Sequence, residues 1–464
     1  MMPRPDGKDI DREARLGIAP VASRIQAPDE RVRNFDEVYL PWTEDMAVQE
    51  ASRCLHCDDR PCVKACPLGN DIPLALWLTE QGNFTDAARV LLRTNNAAEL
   101  CGRLCSPGNQ CGAACPHPKE GQHPVAVNRV EAFLADRYRR IVGWETDRPP
   151  STGEHLAVVG AGPAGLTVAE LLRQNGHSPT VFDRWPGGGG SLRYGTPRFE
   201  LDHGLVRKRL DWLKEMGVEF VYDTRVGEGV GVDHLLADGF RAVFLGTGAG
   251  EPEEAALAGR NLQGVHEAVP FLVRSNVEQN LRPSDMEDPP RPGERVVVIG
   301  GGATALSCAR TARRLGSRDV TCFFPGVREE EGPDPRELGL AREEGVRIRW
   351  EVTPRRLRGE EDGSLREMEC VDGSGREFPV PVDTVILSFG YRPDPELPES
   401  VPGLETEDGG HLAVDPATGR TSRERVWAGG GNVSGRIPLG RTLSQARMAA
   451  RDMHLHLRGG QKGC

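Results

Sequence analysis

The sequence predicts an α/β protein in which an N-terminal α-helical domain is followed by two nested Rossmann-like dinucleotide-binding domains. Two observations support this fold class. Eight of the 12 cysteines crowd into residues 54–115, and a glycine-rich fingerprint follows a short apolar stretch at residue 160 and again at residue 300. With 464 residues, the chain is long enough for two or three domains that each bury their own core.

The cysteines between residues 54 and 115 form two quartets with staggered spacing. The quartets are Cys54, Cys57, Cys62 and Cys66, which Pro67 follows, and Cys101, Cys105, Cys111 and Cys115. Thiolates this close in sequence can surround a soft metal centre, and a cysteine followed by proline is typical of ferredoxin runs that hold 4Fe–4S clusters. The alternatives are structural zinc, which favours two short pairs, and disulfides, which belong to small secreted domains. The spacing favours two 4Fe–4S clusters, which makes the first domain an iron–sulfur domain.

The first fingerprint stands in the context that dinucleotide binding requires. Residues 155–159 are typical of a buried parallel strand, the glycines at 160–165 open a helix, and an acid follows about 20 residues on, at the end of a second strand. The first glycine makes the tight turn, the second lets a pyrophosphate approach, and the third lets the helix pack on the strand. The candidate binding residues are Gly160, Gly162, Ala164, Gly165 and Asp183. Asp183 is expected to bind a ribose hydroxyl.

The fingerprint recurs after a second apolar strand at 295–299. Its candidate residues are Gly300, Gly302, Ala303, Thr304 and Ala305, with alanine in the third small position, which the motif permits. Two more strands, at 243–248 and 385–391, end in small residues where the chain crosses between nested domains, and they add Thr247, Gly248 and Gly390 as candidates. Two such folds in one chain indicate a flavin enzyme, in which one fold binds FAD and the other presents NADPH or NADH to it.

Breaks in the pattern give the domain boundaries. Residues 72–92 and 128–141 have the apolar spacing of amphipathic helices, and prolines with small residues at 149–153 favour a linker after them. A second break is expected at 283–293. The predicted domains are an iron–sulfur domain at 1–148, an FAD-binding domain at 149–290 and 389–464, and an NAD(P)-binding domain at 291–388.

Composition and charge exclude other classes of protein. A formal net charge of -11 argues against nucleic-acid binding, since no basic face could easily dominate so acidic a surface. The longest apolar stretch, 156–172, contains three glycines and is shorter than the about 20 residues that span a bilayer, so no membrane insertion is expected. The first residues lack the apolar core of a secretory signal. We therefore expect a cytoplasmic protein, and a reducing cytoplasm suits thiolate-bound clusters.

The order of these features resembles a known family once the segment 189–197, with the sequence G-G-S-L-R-Y-G-T-P, is included. It is similar to the small (beta) subunit of bacterial glutamate synthase. The same module resembles the N-terminal half of dihydropyrimidine dehydrogenase and the large subunit of the bifurcating NADH-dependent ferredoxin:NADP oxidoreductase. The resemblance runs from about residue 36 to the C-terminus. It implies cofactor contacts from Gly190, Leu192, Tyr194 and Gly195.

In that family the cluster ligands cross over between the quartets. Carried over by position, the resemblance implies one cluster held by Cys54, Cys57, Cys62 and Cys115. It implies a second cluster held by Cys66, Cys105, Cys111 and Glu131, the last from the helix after the quartets. Cys101 is then spare, although spacing alone makes it a ligand, and Glu131 has the alternative role of a solvated helix residue.

Departures from the family fall on the nucleotide sites. Where the family has two arginines that grip the 2′-phosphate of NADPH, this chain has Pro325 and Gly326, and Arg328 either substitutes for them or pairs with the glutamates after it. At the flavin site an aspartate is replaced by Gly431. This change leaves Gly430 and Asn432 as the candidates there. The choice among NADPH, NADH and no nicotinamide therefore stays open.

The resemblance implies an electron-input subunit that passes electrons between NAD(P)H, FAD and two 4Fe–4S clusters to a partner. The chain has no FMN barrel and no N-terminal nucleophile, so the resemblance implies a partner protein that is a catalytic oxidoreductase subunit. A glutamate synthase large subunit is favoured, and a ferredoxin-linked complex comes next. The alternatives are a non-catalytic electron relay or scaffold with a degenerate nicotinamide site, and a ferredoxin-linked bifurcating subunit. No side-chain acid or base is assigned, because the chemistry belongs to the cofactors.

Overall fold

The computed structural model describes residues 10–106, 108, 110–144, 148–253, 256–286, 288–325 and 332–460. The N-terminal domain is helical, as predicted. Its helices are α1 Arg12–Leu16, α2 Pro28–Arg31, α3 Glu44–Ala51, α4 Pro61–Ala65, α5 Ile72–Glu80, α6 Phe84–Leu92, α7 Ala98–Leu104 and α8 Val127–Ile141. The last of these is the helix predicted at 128–141, and it packs along α7 and α6.

The residues with helical spacing at 72–92 form two helices, α5 and α6, which are separated at Gly82. Gly82 has φ +73°, a left-handed conformation that glycine adopts without steric cost. The N–H of Asn83 bonds to the carbonyl of Leu78 and that of Gly82 to the carbonyl of Thr79, which is the Schellman pattern that ends a helix. The apolar spacing continues across the break, so periodicity alone does not reveal it.

The rest of the chain alternates strands and helices. Its strands are β1 His155–Val159, β2 Ser178–Phe182, β3 Glu219–Val221, β4 Ala242–Leu245, β5 Glu251–Pro252, β6 Val265–Glu267, β7 Arg295–Ile299, β8 Asp319–Phe324, β9 Val346–Trp350, β10 Thr353–Gly359, β11 Leu365–Val371, β12 Glu377–Pro381, β13 Thr384–Leu387, β14 Tyr391–Arg392 and β15 Val426–Ala428. Its helices are α9 Pro163–Gln174, α10 His203–Glu215, α11 Val232–Ala237, α12 Ala268–Asn276, α13 Ala303–Arg314, α14 Pro335–Glu343, α15 Glu396–Glu399, α16 Gly431–Ser434 and α17 Leu439–Gly460. Within the described ranges, no helix is both long and apolar enough to cross a membrane.

Two parallel five-stranded sheets carry the fingerprints. The first has the strand order β15-β4-β1-β2-β3 and the second β6-β13-β7-β8-β9. Strands β1 and β7 are central and lead through the glycine turns into α9 and α13, so both turns lie at the carboxyl edge of a sheet, where α/β folds bind ligands. Strand β15 returns to the first sheet after the second is complete, which is the nested arrangement that the sequence predicts. Strand β6 joins the second sheet although it precedes the predicted boundary at residue 291.

Two smaller sheets complete the second half of the chain. Strands β10, β11 and β12 form an antiparallel sheet, and β5 pairs with β14 where the chain passes between the two Rossmann domains.

The helical domain shares a core with the first Rossmann domain. Ala97, just before α7, and Leu100, on α7, belong to the same buried apolar cluster as Leu156 of β1 and Ala446 of α17. Arg209 of α10 crosses this interface and donates to Glu99 of α7. The cysteine quartets are thereby fixed against the first nucleotide fold.

Candidate functional site

The first fingerprint is a turn in which two glycines leave no room for a side chain. Gly160 has φ +102°, and a Cβ atom there would lie 2.4 Å from the carbonyl oxygen of Gly246. A Cβ at Gly165 would lie 1.9 Å from the carbonyl oxygen of Gly160. At Gly162, by contrast, a Cβ would meet nothing closer than the Cα of Gly190, at 3.7 Å. The turn is therefore closed by its first and third glycines and open at its second, as a pyrophosphate-binding loop requires.

Asp183 lies just after β2, directly beside this loop. Its carboxylate accepts hydrogen bonds from the backbone N–H of Ala161 at 2.6 Å and of Trp185 at 2.9 Å. Burial raises the pKa of Asp183, and the two N–H donors oppose that rise. The side chain ties the strand end to the fingerprint and stands where the ribose of a dinucleotide is expected.

Segments from distant parts of the chain close around the same loop. Gly190 has φ +50°, and a Cβ there would lie 2.6 Å from the Cα of Gly162. A Cβ at Gly160 would lie 3.2 Å from the backbone nitrogen of Thr247, and one at Gly430 would lie 3.1 Å from the Cβ of Ala164. The structure thus brings together candidates that are up to 270 positions apart in the sequence.

The segment after Gly190 forms a π-helical turn over Ser191–Gly195. Leu192 and Tyr194 are both buried, and the Tyr194 hydroxyl lies 3.0 Å from the carbonyl oxygens of Gly187 and Leu281, to which it donates. Burial raises the pKa of this hydroxyl, so it remains a donor. The turn is therefore held rigidly beside the first fingerprint.

Gly431 follows the end of β15, where the resemblance implies an aspartate. A Cβ at Gly431 would lie 2.9 Å from the backbone nitrogen of Ala249 and 3.3 Å from the Cα of Gly248. The loop after β4 therefore occupies the space that an aspartate side chain would need. Asn432 is 1% exposed and donates from Nδ2 to the carbonyl of Leu245 at 2.9 Å, while its Oδ1 has no hydrogen-bond partner among the described residues.

Gln445 was not singled out from the sequence. It lies on α17, and its Oε1 accepts a hydrogen bond from the backbone N–H of Gly430 at 2.9 Å. No local motif marks this residue, because the contact joins a helix to a loop 15 residues earlier.

The second fingerprint repeats the design of the first. A Cβ at Gly300 would lie 2.4 Å from the carbonyl oxygen of Ser388, whereas a Cβ at Gly302 would meet nothing within 4 Å. Ala303, Thr304 and Ala305 form the first turn of α13, and Arg436 donates to the Thr304 hydroxyl from the loop between α16 and α17. Gly390 has φ +132°, and a Cβ there would lie 3.2 Å from the carboxylate carbon of Glu253.

Strand β8 ends beside the second fingerprint, and its described end, up to Pro325, carries no guanidinium. The Phe324 ring packs on Trp350 with centroids 4.4 Å apart, and Pro325 begins the turn that follows. Gly326, Arg328 and the glutamates at 329–331 lie outside the described residues.

The first group of cysteines draws on both quartets. Burial, with the nearby charges of Cys115 and Cys57, raises the pKa of Cys62 to about 12. Burial raises the pKa of Cys57 as well, and the charge of Cys115 acts in the same direction. Burial raises the pKa of Cys54 to about 12, and the nearby charges of Cys62 and Cys57 act in the same direction. The structure therefore places Cys115 with the first three cysteines.

The second group is also mixed. Burial raises the pKa of Cys111, and the charges of Glu131, Cys66 and Cys105 add to that rise, followed by the charge of Cys62 from the first group. The pKa of Cys66 is raised by burial and by the charges of Glu131 and Cys105, and the backbone N–H groups of Asn70 and Leu68 oppose the rise. Such N–H···S bonds tune iron–sulfur clusters.

Glu131 is buried, at 7% exposure, and is not a solvated helix residue. Asn95 and Asn70 both donate to its Oε1, at 2.8 and 3.1 Å. Burial raises the pKa of Glu131 to about 7, and the two amides oppose the rise. Oε2 accepts no hydrogen bond from the described residues, so the carboxyl has one oxygen to offer a metal.

Cys101 lies in the apolar core and contacts the second group through Cys105 and Glu131. It is 2% exposed and packs with Leu100 and Ala97. A hydrogen bond with Cys105 raises its pKa, and so does burial. Its thiol also lies 3.7 Å from Oδ1 of Asn95.

The two cysteine groups suit iron–sulfur clusters in ligand chemistry. Each offers soft thiols, and metal binding would remove the protons that burial otherwise keeps on them. Among the described residues, no three His, Cys, Asp or Glu side chains converge as ligands of a single metal ion.

Two family models match the chain. Residues 31–141 match the model described as dihydropyrimidine dehydrogenase domain II, 4Fe-4S cluster, and residues 154–452 match pyridine nucleotide-disulphide oxidoreductase. The glutamate synthase (NADPH) small chain of Escherichia coli is 34% identical over 440 residues, which cover 90% of this chain and 92% of that protein. This chain belongs to the glutamate synthase small-chain family.

Further relatives agree with that assignment. The glutamate synthase (NADPH) small chain of Halomonas elongata is 36% identical over 431 residues, 87% of this chain and 89% of that protein. The putative oxidoreductase AegA of Escherichia coli is 34% identical over 452 residues, 91% of this chain and 68% of that protein. As a member of the glutamate synthase small-chain family, the chain is an NAD(P)H-dependent flavin oxidoreductase with FAD and 4Fe–4S cofactors.

Solved structures share the fold of the two Rossmann domains. FprA of Mycobacterium tuberculosis in complex with NADPH has a TM-score of 0.52 at 18% identity, over 68% of this chain and 86% of that one. The thioredoxin reductase of T. acidophilum has a TM-score of 0.52 at 16% identity, over 65% of this chain and 98% of that one. The glutamate synthase small-chain family thus carries its helical domain on a widely used nucleotide-binding fold.

Proposed function

We propose that this chain is the electron-input subunit of a larger oxidoreductase, and that it passes electrons between NAD(P)H, FAD and two 4Fe–4S clusters to a catalytic partner. A flavin can link the two-electron chemistry of the nicotinamide to the one-electron chemistry of the clusters, since it takes up electrons in pairs and releases them singly. The protein orients the nucleotides, ligates the iron and fixes the spacing between them.

One observation carries the proposal: α17 touches both the second cysteine group and the first nucleotide fold. A Cβ at Gly440 would lie 3.9 Å from the Cys105 sulfur, and Gln445 on the same helix binds the backbone of Gly430. These two positions are five residues apart, about 8 Å along a helix axis. Such a separation supports direct electron transfer from the flavin site to the cluster held by Cys66, Cys105, Cys111 and Glu131.

The partner is inferred from the family. Relatives that match this chain over nearly their whole length are named as small chains of glutamate synthase. We therefore propose a glutamate synthase large subunit, or a protein like it, as the acceptor. A ferredoxin-linked complex is the next candidate.

A second function is favoured by two departures at the nucleotide sites. Gly431 packs on the loop at Gly248 and offers no carboxylate, and Pro325 stands where the family has a phosphate-binding arginine. These features suit a non-catalytic relay whose nicotinamide site has degenerated.

An anaerobic reductive titration separates the two functions. The purified chain is assayed for FAD, iron and acid-labile sulfide, and NADPH or NADH is then added while flavin absorbance and the electron paramagnetic resonance of reduced clusters are followed. Bleaching of the flavin with the appearance of reduced clusters supports electron input. Bound flavin that neither nucleotide reduces supports the relay, and a chain without iron and sulfide overturns both.

The partner is tested separately. Reduced chain is mixed either with a glutamate synthase large subunit, glutamine and 2-oxoglutarate, or with oxidised ferredoxin. Glutamate formation supports the first partner, and ferredoxin reduction alone supports the second.

A further inference from the structure

We propose that Arg436 binds the pyrophosphate of the nicotinamide dinucleotide, so that the flavin-binding domain supplies a ligand to the nucleotide of the second Rossmann domain. The inference rests on the proposed function, because it requires a nicotinamide dinucleotide at the second fingerprint.

The position of Arg436 is the first argument. It lies in the short loop between α16 and α17, which belongs to the first domain, and its guanidinium donates to the hydroxyl of Thr304 in the first turn of α13. Beside this turn, a Cβ at Gly302 would meet nothing within 4 Å. The guanidinium therefore reaches across the domain boundary to the open side of the fingerprint, where burial lowers its pKa.

Electrostatics is the second argument. The N-terminus of a helix carries a partial positive charge, so a cation there is unfavourable unless an anion joins it. The first turn of α13 contains no acidic residue. A pyrophosphate at this point would satisfy both the N–H groups of the helix and the guanidinium, which binds phosphate through two parallel hydrogen bonds.

The groups already facing Arg436 do not replace that anion. They are Glu200, Tyr391 and Cys308. Of these, Glu200 is the carboxylate, and it is engaged elsewhere: the Ser307 hydroxyl donates to it at 2.6 Å, and it pairs with Arg310 at 3.9 Å. Arg436 forms no ion pair with a carboxylate of the described chain, so most of its five donors remain for a ligand.

Calorimetric titration with ADP-ribose tests the inference directly. ADP-ribose carries the pyrophosphate without the nicotinamide, so its binding is read independently of flavin reduction. On the full chain with its cofactors, we expect Arg436→Gln to weaken ADP-ribose binding about 10- to 100-fold, because a charge-assisted bond to phosphate is lost. Arg436→Lys keeps the positive charge but cannot form two parallel hydrogen bonds to phosphate. Its affinity for ADP-ribose should therefore lie between those of the wild type and Arg436→Gln. Arg458→Gln, an exposed substitution at the far end of α17, should bind like the wild type.

Kinetics gives a second readout. Arg436→Gln should raise the NADH concentration at half-maximal flavin reduction by a similar factor and leave the limiting rate nearly unchanged, because the residue holds the pyrophosphate and not the reacting ring. If Arg436→Gln lowers the melting temperature but binds ADP-ribose as the wild type does, Arg436 is only a tether between domains and the inference is wrong. If the wild type itself binds no ADP-ribose and its flavin is not reduced by either nucleotide, the proposed function fails together with the inference.

Discussion

Arg31 donates from its Nε to Oε1 of Glu344 over 2.8 Å, and the two side chains are 1% and 0% exposed. The bond joins α2 of the helical domain to the end of α14 in the second Rossmann domain. Glu344 also pairs with Arg310 and Arg314 of α13, so one buried carboxylate contacts three guanidinium groups. The iron–sulfur domain is thereby held against the domain that binds the nicotinamide.

Removing this carboxylate should be costly. We expect Glu344→Gln to lower the free energy of unfolding by roughly 3–5 kcal/mol, because it leaves the buried guanidinium of Arg314 without a counter-charge, whereas Arg31 keeps Glu343 and Arg310 keeps Glu337. Glu360→Gln is the matched control, since Glu360 pairs with Arg366 at 3.7 Å and both side chains are 52% exposed. The control substitution should lower the free energy of unfolding by less than about 1 kcal/mol. Urea unfolding under anaerobic conditions measures the free energy of unfolding of both variants. Equal decreases in Glu344→Gln and Glu360→Gln would contradict the prediction.

The same carboxylate should make stability depend on pH. Burial alone raises the pKa of Glu344, but hydrogen bonds from Arg314 and Arg310 outweigh it and lower the pKa from 4.5 to about 2. A carboxyl whose pKa is lowered by folding stabilises the fold fully above its unfolded pKa and loses that contribution as the pH falls toward the folded value. We expect the stability difference between wild type and Glu344→Gln to shrink by about 1 kcal/mol from about pH 7 to about pH 4. A constant difference across this range would show that folding does not lower the pKa of Glu344.

The sequence predicts the two Rossmann domains well because their signals are local. An apolar strand, a glycine turn and a helix occur within a few residues of one another, and each glycine has a steric reason that the structure displays, such as the contact of Gly165 with the carbonyl of Gly160. The break at Gly82 was missed because the apolar spacing runs on through it, and only the hydrogen bonds of the turn reveal it.

Parts of the site that depend on distant contacts could not be predicted from spacing. The nearness of Cys115 to Cys57 and Cys62 is a contact between residues more than 50 positions apart, and the family resemblance implied it where spacing did not. Arg436 and Gln445 lie in no motif, because their roles depend on loops that another domain presents to them.

Cys101 and Cys105 should respond differently to replacement. Cys101 lies in the apolar core, so we expect Cys101→Ala to retain all its iron and to cost about 1 kcal/mol for the lost packing. Cys105→Ala, by contrast, should lose about half of the iron, since one of two clusters loses a thiolate. Iron and sulfide analysis of the two variants is the measurement. Loss of iron from Cys101→Ala with retention in Cys105→Ala would reverse the assignment.

Glu131 should be required for one cluster. We expect Glu131→Leu to lose about half of the iron while it keeps its FAD, because an apolar side chain offers the metal no donor. Glu131→Gln preserves a carbonyl oxygen and should retain the iron with a changed reduction potential. FAD content reports that each variant is folded, and redox titration reports the potential. A Glu131→Leu protein with its full iron content would show that the carboxyl serves only to accept from Asn70 and Asn95.

Pro325 and Gly326 should set the choice between nicotinamides. Without a guanidinium fork at these positions, the extra phosphate of NADPH lacks its strongest partner, so the wild type should not favour NADPH over NADH by a large factor. The double variant Pro325→Arg with Gly326→Arg should raise the ratio of kcat/KM for NADPH to that for NADH about 10- to 100-fold. Pro325→Ala with Gly326→Ala alters the same backbone without adding charge and should leave the ratio unchanged. Steady-state reduction of a one-electron acceptor measures the ratio. A wild type that already favours NADPH strongly would point to Arg328, and Arg328→Gln would then weaken NADPH without affecting NADH.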